Sequence, residues 1–146
     1  MRRLAFAAAV AGLLLAEPSS AAPPAAACFA YEPVVSMVMG TITITPFYGA
    51  PGFGKTPRRD AKLHHPILKL DKPACVDAKK GNAYNSRSET GIESMQLVFA
   101  SYPFGAEWHG RHVAVTGRLF HGFTADHRTK VLVMVQQVRA TNEGEP

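Results

Sequence analysis

Between Val34 and Ala140 the sequence divides into five runs rich in β-branched and aromatic residues, and no stretch keeps a helical period for more than about two turns. That pattern excludes helical bundles and alternating strand–helix architectures, and leaves a chain that buries its apolar side chains between strands. The runs are Val34–Phe47, Pro66–Val76, Ile92–Ala100, His112–Gly122 and Thr129–Ala140. Gly40 stands inside the first run, where a glycine marks a sharp bend or bulge. Pro73 confines the end of the second run to an edge or a bulge. Long polar connections separate the first three runs, and only the stretch "SYPFGAEWHGR" leaves room for a short helix.

Five strands with at most one short helix between the third and fourth is the order of the OB-fold, a five-stranded Greek-key barrel, and this is the expected all-β architecture. A plain β-sandwich is the alternative. The barrel domain is expected over residues 34–140, with 23–33 as a lead-in and 141–146 as a frayed tail. Alternation places Val113, Val115 and Leu119 on one face of the fourth strand, and Val131, Val133 and Val135 on one face of the fifth. Leu132 and Met134 lie on the opposite face of the fifth strand, so its outside should be covered, with the connection around Trp108 as the expected cover.

The first 22 residues read as a cleaved signal peptide of bacterial type. Arg2 and Arg3 precede the apolar stretch Leu4–Ala16, which is too short for an ordinary membrane span, and small residues follow for cleavage after Ala21 or Ala22. A retained membrane anchor and a lipid anchor at Cys28, in "AAAC", are the lesser alternatives. The expected location is periplasmic or secreted, with no membrane-spanning segment in the mature chain. Without Arg2, Arg3 and Glu17 the 16 basic and 11 acidic residues become 14 and 10, a net charge of +4 that favours anionic envelope material. Two cysteines remain, and an even count in an oxidising compartment favours one disulfide. In an antiparallel pair formed by the first two strands, Cys28 and Cys75 fall at ends that meet. The crosslink would close a loop of about 45 residues and contribute about 3–4 kcal/mol.

Four segments together carry a resemblance: "CFAYEPVVSMVMGTIT", "PFYGAPGFG", "ILKLDKPACVDA" and "GRHVAVTGRLFHGFTADHRTKVLVMVQQV". They resemble an uncharacterised family of exported bacterial domains. Its features are an aromatic-Glu-Pro opening, a Pro-Gly loop, a Leu-x-Leu-x-x-Pro-x-Cys strand, and a Val-x-Val-x-Gly strand before a Thr/His/Thr hairpin. The resemblance implies an exported, OB-like module and no particular activity. Where the family has two adjacent histidines before the hairpin threonine, this chain has "DHRT", with Asp126 and Arg128 around His127.

Candidate site residues come from two loops. The stretch "HGFTADHRT" joins the last two strands, and "YGAPGFGKTPRRD" follows the first; in an OB barrel such loops flank the ligand face. Phe123, His127 and Arg128 in the first, with Tyr48, Phe53 and Arg58 in the second, are the expected ligand contacts, offering apolar area, a planar cation and surface charge. Phe47, Lys55 and Arg59 extend the same basic, aromatic-bearing loop. The competing reading of the hairpin is a plain turn, in which Thr124, Asp126 and Thr129 bond nearby backbone and His127 donates to a carbonyl. Metal ligation by His121, Asp126 and His127, or by His64, His65, His109 and His112, would need convergence that the spacing does not provide, so no metal and no cofactor is expected. "GFGKTPRRD" lacks phosphate-loop spacing and context. No nucleophile elbow or zinc motif occurs, and no catalytic residues are assigned.

The expected function is a small exported binding module without catalysis, whose partner is an unknown protein or an anionic envelope ligand, with nucleic acid disfavoured. The alternatives are a periplasmic inhibitor or immunity protein that blocks a partner enzyme, and a metal-handling or envelope-stress protein.

Overall fold

A computed structural model describes residues 27–100 and 106–141; the expected signal peptide, its cleavage sites, the start of the lead-in and the end of the tail lie outside the described residues. The chain is all-β. Its strands are β1 (Phe29–Ala30), β2 (Val35–Tyr48), β3 (Lys62–Asp77), β4 (Glu89–Val98), β5 (His112–His121) and β6 (Val131–Ala140), with one 3-10 turn at Ala106–Trp108 between β4 and β5. No helix among the described residues is long and apolar enough to cross a membrane.

All six strands belong to one sheet, in the order β1-β3-β2-β5-β6-β4, and β4 also pairs with β3. The five long strands therefore run in a barrel-like ring. Its neighbours are antiparallel except for β4 and β6, which are parallel, as Gln96↔Leu132 and Val98↔Met134 register them. The ring interior holds Val38, Ile42, Leu68, Val76, Met95, Leu97, Val113, Val115, Leu119, Val131 and Val133, all at most 3 % exposed. Those residues alternate along each strand, the two-residue period expected of a sheet with one buried face.

Gly40 sits where β2 crosses both neighbours, pairing with Leu70 on one side and Val113 on the other. A Cβ there would overlap the carbonyl oxygen of Lys69, so only glycine permits the approach. Past Lys69 the β3–β4 register shifts on either side of Ala74, next to Pro73, as a proline in a strand requires.

Three sequence expectations are corrected. A sixth strand exists: the Cys28–Cys75 disulfide, with Cα atoms 4.7 Å apart, brings Phe29 and Ala30 alongside Val76 and Asp77 as a short parallel strand. Residues 27–33 are thus part of the fold, and Tyr31 is 2 % exposed in the core. The second strand starts at Lys62 rather than Pro66, because β2 and β3 continue as a hairpin through Tyr48↔Lys62, closed by Gly49 N–H donating to Ala61 O at 2.7 Å. The connection at Trp108 bonds to β2, through Gly110 N–H to Ile42 O, Ile42 N–H to Arg111 O and Ile44 N–H to His109 Nδ1. On the outside of β6 the β5–β6 loop covers Leu132 instead, and Met134 stays 40 % exposed.

Candidate functional site

Directly registered across four strands, on the outside of the ring, stand Ile67 of β3, Gln96 of β4, Leu132 of β6 and Phe120 of β5. All four are buried although none points into the core. The loop between His121 and Val131 folds back over them, and Gln96 holds it there. The Gln96 side chain accepts the Arg128 backbone N–H at 2.6 Å and donates to Asp126 O at 3.3 Å, beside His65 Nδ1 at 3.3 Å. The Gln96 backbone N–H donates to the Thr129 hydroxyl, which itself donates to Val131 O. A buried amide with both ends engaged fixes loop position better than apolar contact alone, because slippage would strand its polar atoms.

Within the loop, His127 is the organising residue. Its Nδ1 accepts from the backbone N–H of Phe123 at 3.0 Å and of Thr124 at 3.4 Å. Its ring stands edge-on to Phe120 and Phe123, with centroids 5.5 and 4.8 Å away. Burial pushes the His127 imidazole below the ordinary histidine range. The expected donation to a carbonyl is therefore reversed: the ring accepts. The Asp126 side chain is 62 % exposed, and its recorded contact is Arg128, at 4.0 Å, so it is the imidazole that braces this turn.

Arg128 joins this loop to the other. Its Nη2 donates to Tyr48 O at 2.8 Å, and its guanidinium lies 5.0 Å from the Phe47 ring centroid and 6.0 Å from that of Phe53. The side chain is 15 % exposed. It is wedged between aromatic faces, the arrangement in which cation–π attraction is strongest. Phe47 also packs against His65, whose imidazole is held low by burial and by the Arg128 charge. Two buried nitrogens in this cluster, Arg128 Nε and His65 Nε2, have no hydrogen-bond partner among the described residues.

The Gly49–Ala61 loop is braced from within. The Asp60 carboxylate accepts the backbone N–H groups of Gly52, Gly54 and Thr56 and the Thr56 hydroxyl, at 2.6–3.1 Å. Burial would raise this carboxyl, but those four bonds offset it and hold it below its ordinary value. The convergent N–H groups that give "GFGKT" its phosphate-loop look are thus filled by the chain's own anion. They also hold Phe53 at a φ of 49°, a left-handed conformation that a bulky side chain rarely adopts. Phe53 and Tyr48 are 43 % and 41 % exposed, with Lys55, Arg58 and Arg59 exposed beside them. A cleft of about 290 Å³ opens at Pro46, Phe47, Tyr48, Lys62 and His64.

Five of the six expected contact residues come together here. Tyr48, Phe53 and Arg128 touch directly, and His127 and Phe123 form the other end of the same loop. Arg58 stays exposed on the braced loop. Phe123 is 57 % exposed and stacks on Tyr84, 62 % exposed, at 4.8 Å. Arg128, expected as an exposed contact, is instead the clamp between loops. Gln96, His65, Asp60 and Tyr84 were not among the expected residues. A lone glutamine flanked by Met95 and Leu97 was the available signal for the first.

The other histidines are dispersed. His121 lies between Gly122 O and Glu89, His112 between Asp71 and Thr141, and His109 on Ile44. No group of three or more His, Cys, Asp or Glu side chains among the described residues is arranged to hold a metal ion. Glu89 is held below its ordinary value by hydrogen bonds from His121 and Lys130, and burial together with the Glu89 charge pushes the Tyr31 hydroxyl up to about 12.

A known protein family, described as Domain of unknown function (DUF4431), matches residues 94–139. That span begins in β4 and includes Gln96, all of β5, the clamped loop and nearly all of β6. No curated protein and no solved structure matches the chain. The matched segment, which holds Gln96, His127 and Arg128 together, is similar to an uncharacterised domain family.

Proposed function

We propose that this protein is an exported, OB-like binding module whose ligand is an anionic envelope polymer, engaged by the basic, aromatic-bearing face of the Gly49–Ala61 loop. The ring order β2-β3-β4-β6-β5 and the placement of two loops at one end support the OB-like reading. The motif resemblance outside residues 94–139 and the disulfide, which suits an oxidising compartment, support export.

The observation that carries the ligand class is the Asp60-braced loop. It holds exposed Phe53 and Tyr48 beside exposed Lys55, Arg58 and Arg59, with Lys62 and His64 lining the adjoining cleft. Aromatic faces beside cations on a pre-organised loop bind extended anions with little ordering cost. Titration calorimetry with dextran sulfate, against neutral dextran, tests this. The sulfated polymer should bind in a salt-dependent way, and Arg58→Ala with Arg59→Ala should weaken it at least about tenfold. Equal retention of neutral dextran, or undiminished binding by the double variant, would overturn the reading.

The same bracing favours a second reading, a periplasmic inhibitor that inserts this loop into an enzyme cleft. A rigid, protruding loop with an aromatic tip suits that task. Recovery of one hydrolase in stoichiometric complex, lost on Phe53→Ala, would select it.

A further inference from the structure

Two exposed aromatic side chains touch where the connection from β3 to β4 meets the connection from β5 to β6. Tyr84, in the loop of residues 78–88, and Phe123, in the loop of residues 122–130, are each more than half exposed, with ring centroids 4.8 Å apart. Every residue of both loops is described. Both loops are braced. The Asn82 side-chain oxygen accepts the Tyr84 and Asn85 backbone N–H groups at 3.0 and 2.9 Å, and the Lys79 N–H donates to Asn85 O at 2.7 Å. Asn85 is fully buried. Its side chain accepts the His121 N–H at 2.9 Å and donates to Glu32 at 3.3 Å, which ties the first loop to the foot of the second. Phe123 rests on Phe120 and on His127, whose imidazole accepts the Phe123 N–H.

Aromatic side chains held in water on braced backbone forgo their own burial and offer flat apolar faces to a ligand at little ordering cost. The charge around them has one sign. The 78–88 loop carries Lys79, Lys80 and Arg87, all exposed, and no carboxylate. Asp77 and Glu89 bound it at its two feet, and Glu89 is engaged by His121 and Lys130. The 122–130 loop then leads from Phe123 to Arg128, which lies against Phe53 and bonds to Tyr48 O. One loop therefore joins two places where exposed aromatic side chains stand beside exposed cations. Charge complementarity selects an anionic ligand, and the repeated pattern selects an extended one. A polyphosphate supplies charge but no flat apolar face. A sugar chain with anionic substituents supplies both, because the C–H face of a pyranose packs on an aromatic ring.

Given the anionic-polymer reading above, on which this rests, we propose that the polymer is a polysaccharide whose sugar rings stack on Tyr84 and Phe123 while the Gly49–Ala61 loop takes its charged groups. Lys80 and Arg87 hold anionic substituents next to the stacked sugars. Stacking adds affinity without adding charge, so recognition depends on the backbone of the polymer as well as on its charge density.

Titration calorimetry on the disulfide-bonded protein compares dextran sulfate with polyphosphate at matched charge. The native protein should bind dextran sulfate at least about tenfold more tightly than polyphosphate, and Tyr84→Ala with Phe123→Ala should erase that preference. Equal or tighter binding of polyphosphate by the native protein would overturn the proposal, as would a preference that the double variant retains. Either result, with dextran sulfate still bound, leaves the anionic-polymer reading standing, whereas binding of neither polymer removes both. If the double variant fails to fold, Tyr84→Leu decides, since it keeps apolar bulk at an exposed position without a flat face. It should lower dextran sulfate affinity at least about threefold, and an unchanged affinity would overturn the proposal.

Discussion

Gln96 Oε1 accepts the backbone N–H of Arg128 at 2.6 Å, across 32 residues of sequence. This one bond ties the centre of β4 to the residue that clamps the two loops. Replacing Gln96 with Leu leaves the Arg128 N–H and the Asp126 carbonyl without their partner. The expected loss is about 1–3 kcal/mol, the cost of buried groups left unsatisfied. Gln96→Glu should be no better, since it places a carboxylate oxygen against the Asp126 carbonyl. Urea denaturation of both variants measures the loss.

Arg128→Ala removes a hydrogen bond to Tyr48 O and two aromatic contacts, and should cost about 1–2 kcal/mol. Arg128→Lys should restore little, because an ammonium cannot lie flat between two rings. Hydrogen exchange across residues 49–61 should speed up in both, as the clamp is what joins that loop to its neighbour.

Reduction, or replacement of both cysteines by serine, removes a crosslink between residues 47 apart. The expected cost is about 3–4 kcal/mol through the unfolded chain. Urea denaturation of the reduced protein checks it. The β1–β3 pairing should be the first to show faster amide exchange, because Phe29 adjoins Cys28.

His127 and His65 are both depressed by burial. Their folded-state values lie below the ordinary 6.5, so the unfolded chain binds protons first as pH falls. The stability due to the neutral rings is complete above 6.5, declines as pH drops below it, and levels off beneath the folded-state values. Melting temperature should fall across that window, and His127→Gln should flatten part of the decline. A profile unchanged by that substitution would remove His127 as a source of the pH dependence.

The strand runs and the disulfide were legible because both follow from local pattern: two-residue alternation, punctuation by glycine and proline, and an even cysteine count. Gly40 announced itself by interrupting a run otherwise rich in apolar and β-branched residues. Leu132 pointed to a covered outer face on the last strand, but which segment covers it, and that Gln96 lies beneath, was not legible. Gln96 sits on a face that alternation along its own strand assigns to solvent, and the folded-back loop makes it interior. His127 shows the same limit, since its hydrogen bonds with Phe123 and Thr124 depend on the loop closing on itself. The loops' composition suggested contact residues, but charge and aromaticity cannot tell an exposed arginine from one wedged between rings.

A chain with two cysteines has one internal way to pair them. Oxidation of this protein cannot scramble within a single molecule, so an oxidant suffices and an isomerase is dispensable. Its errors in maturation are confined to joining different molecules, and dilution during oxidation should suppress them.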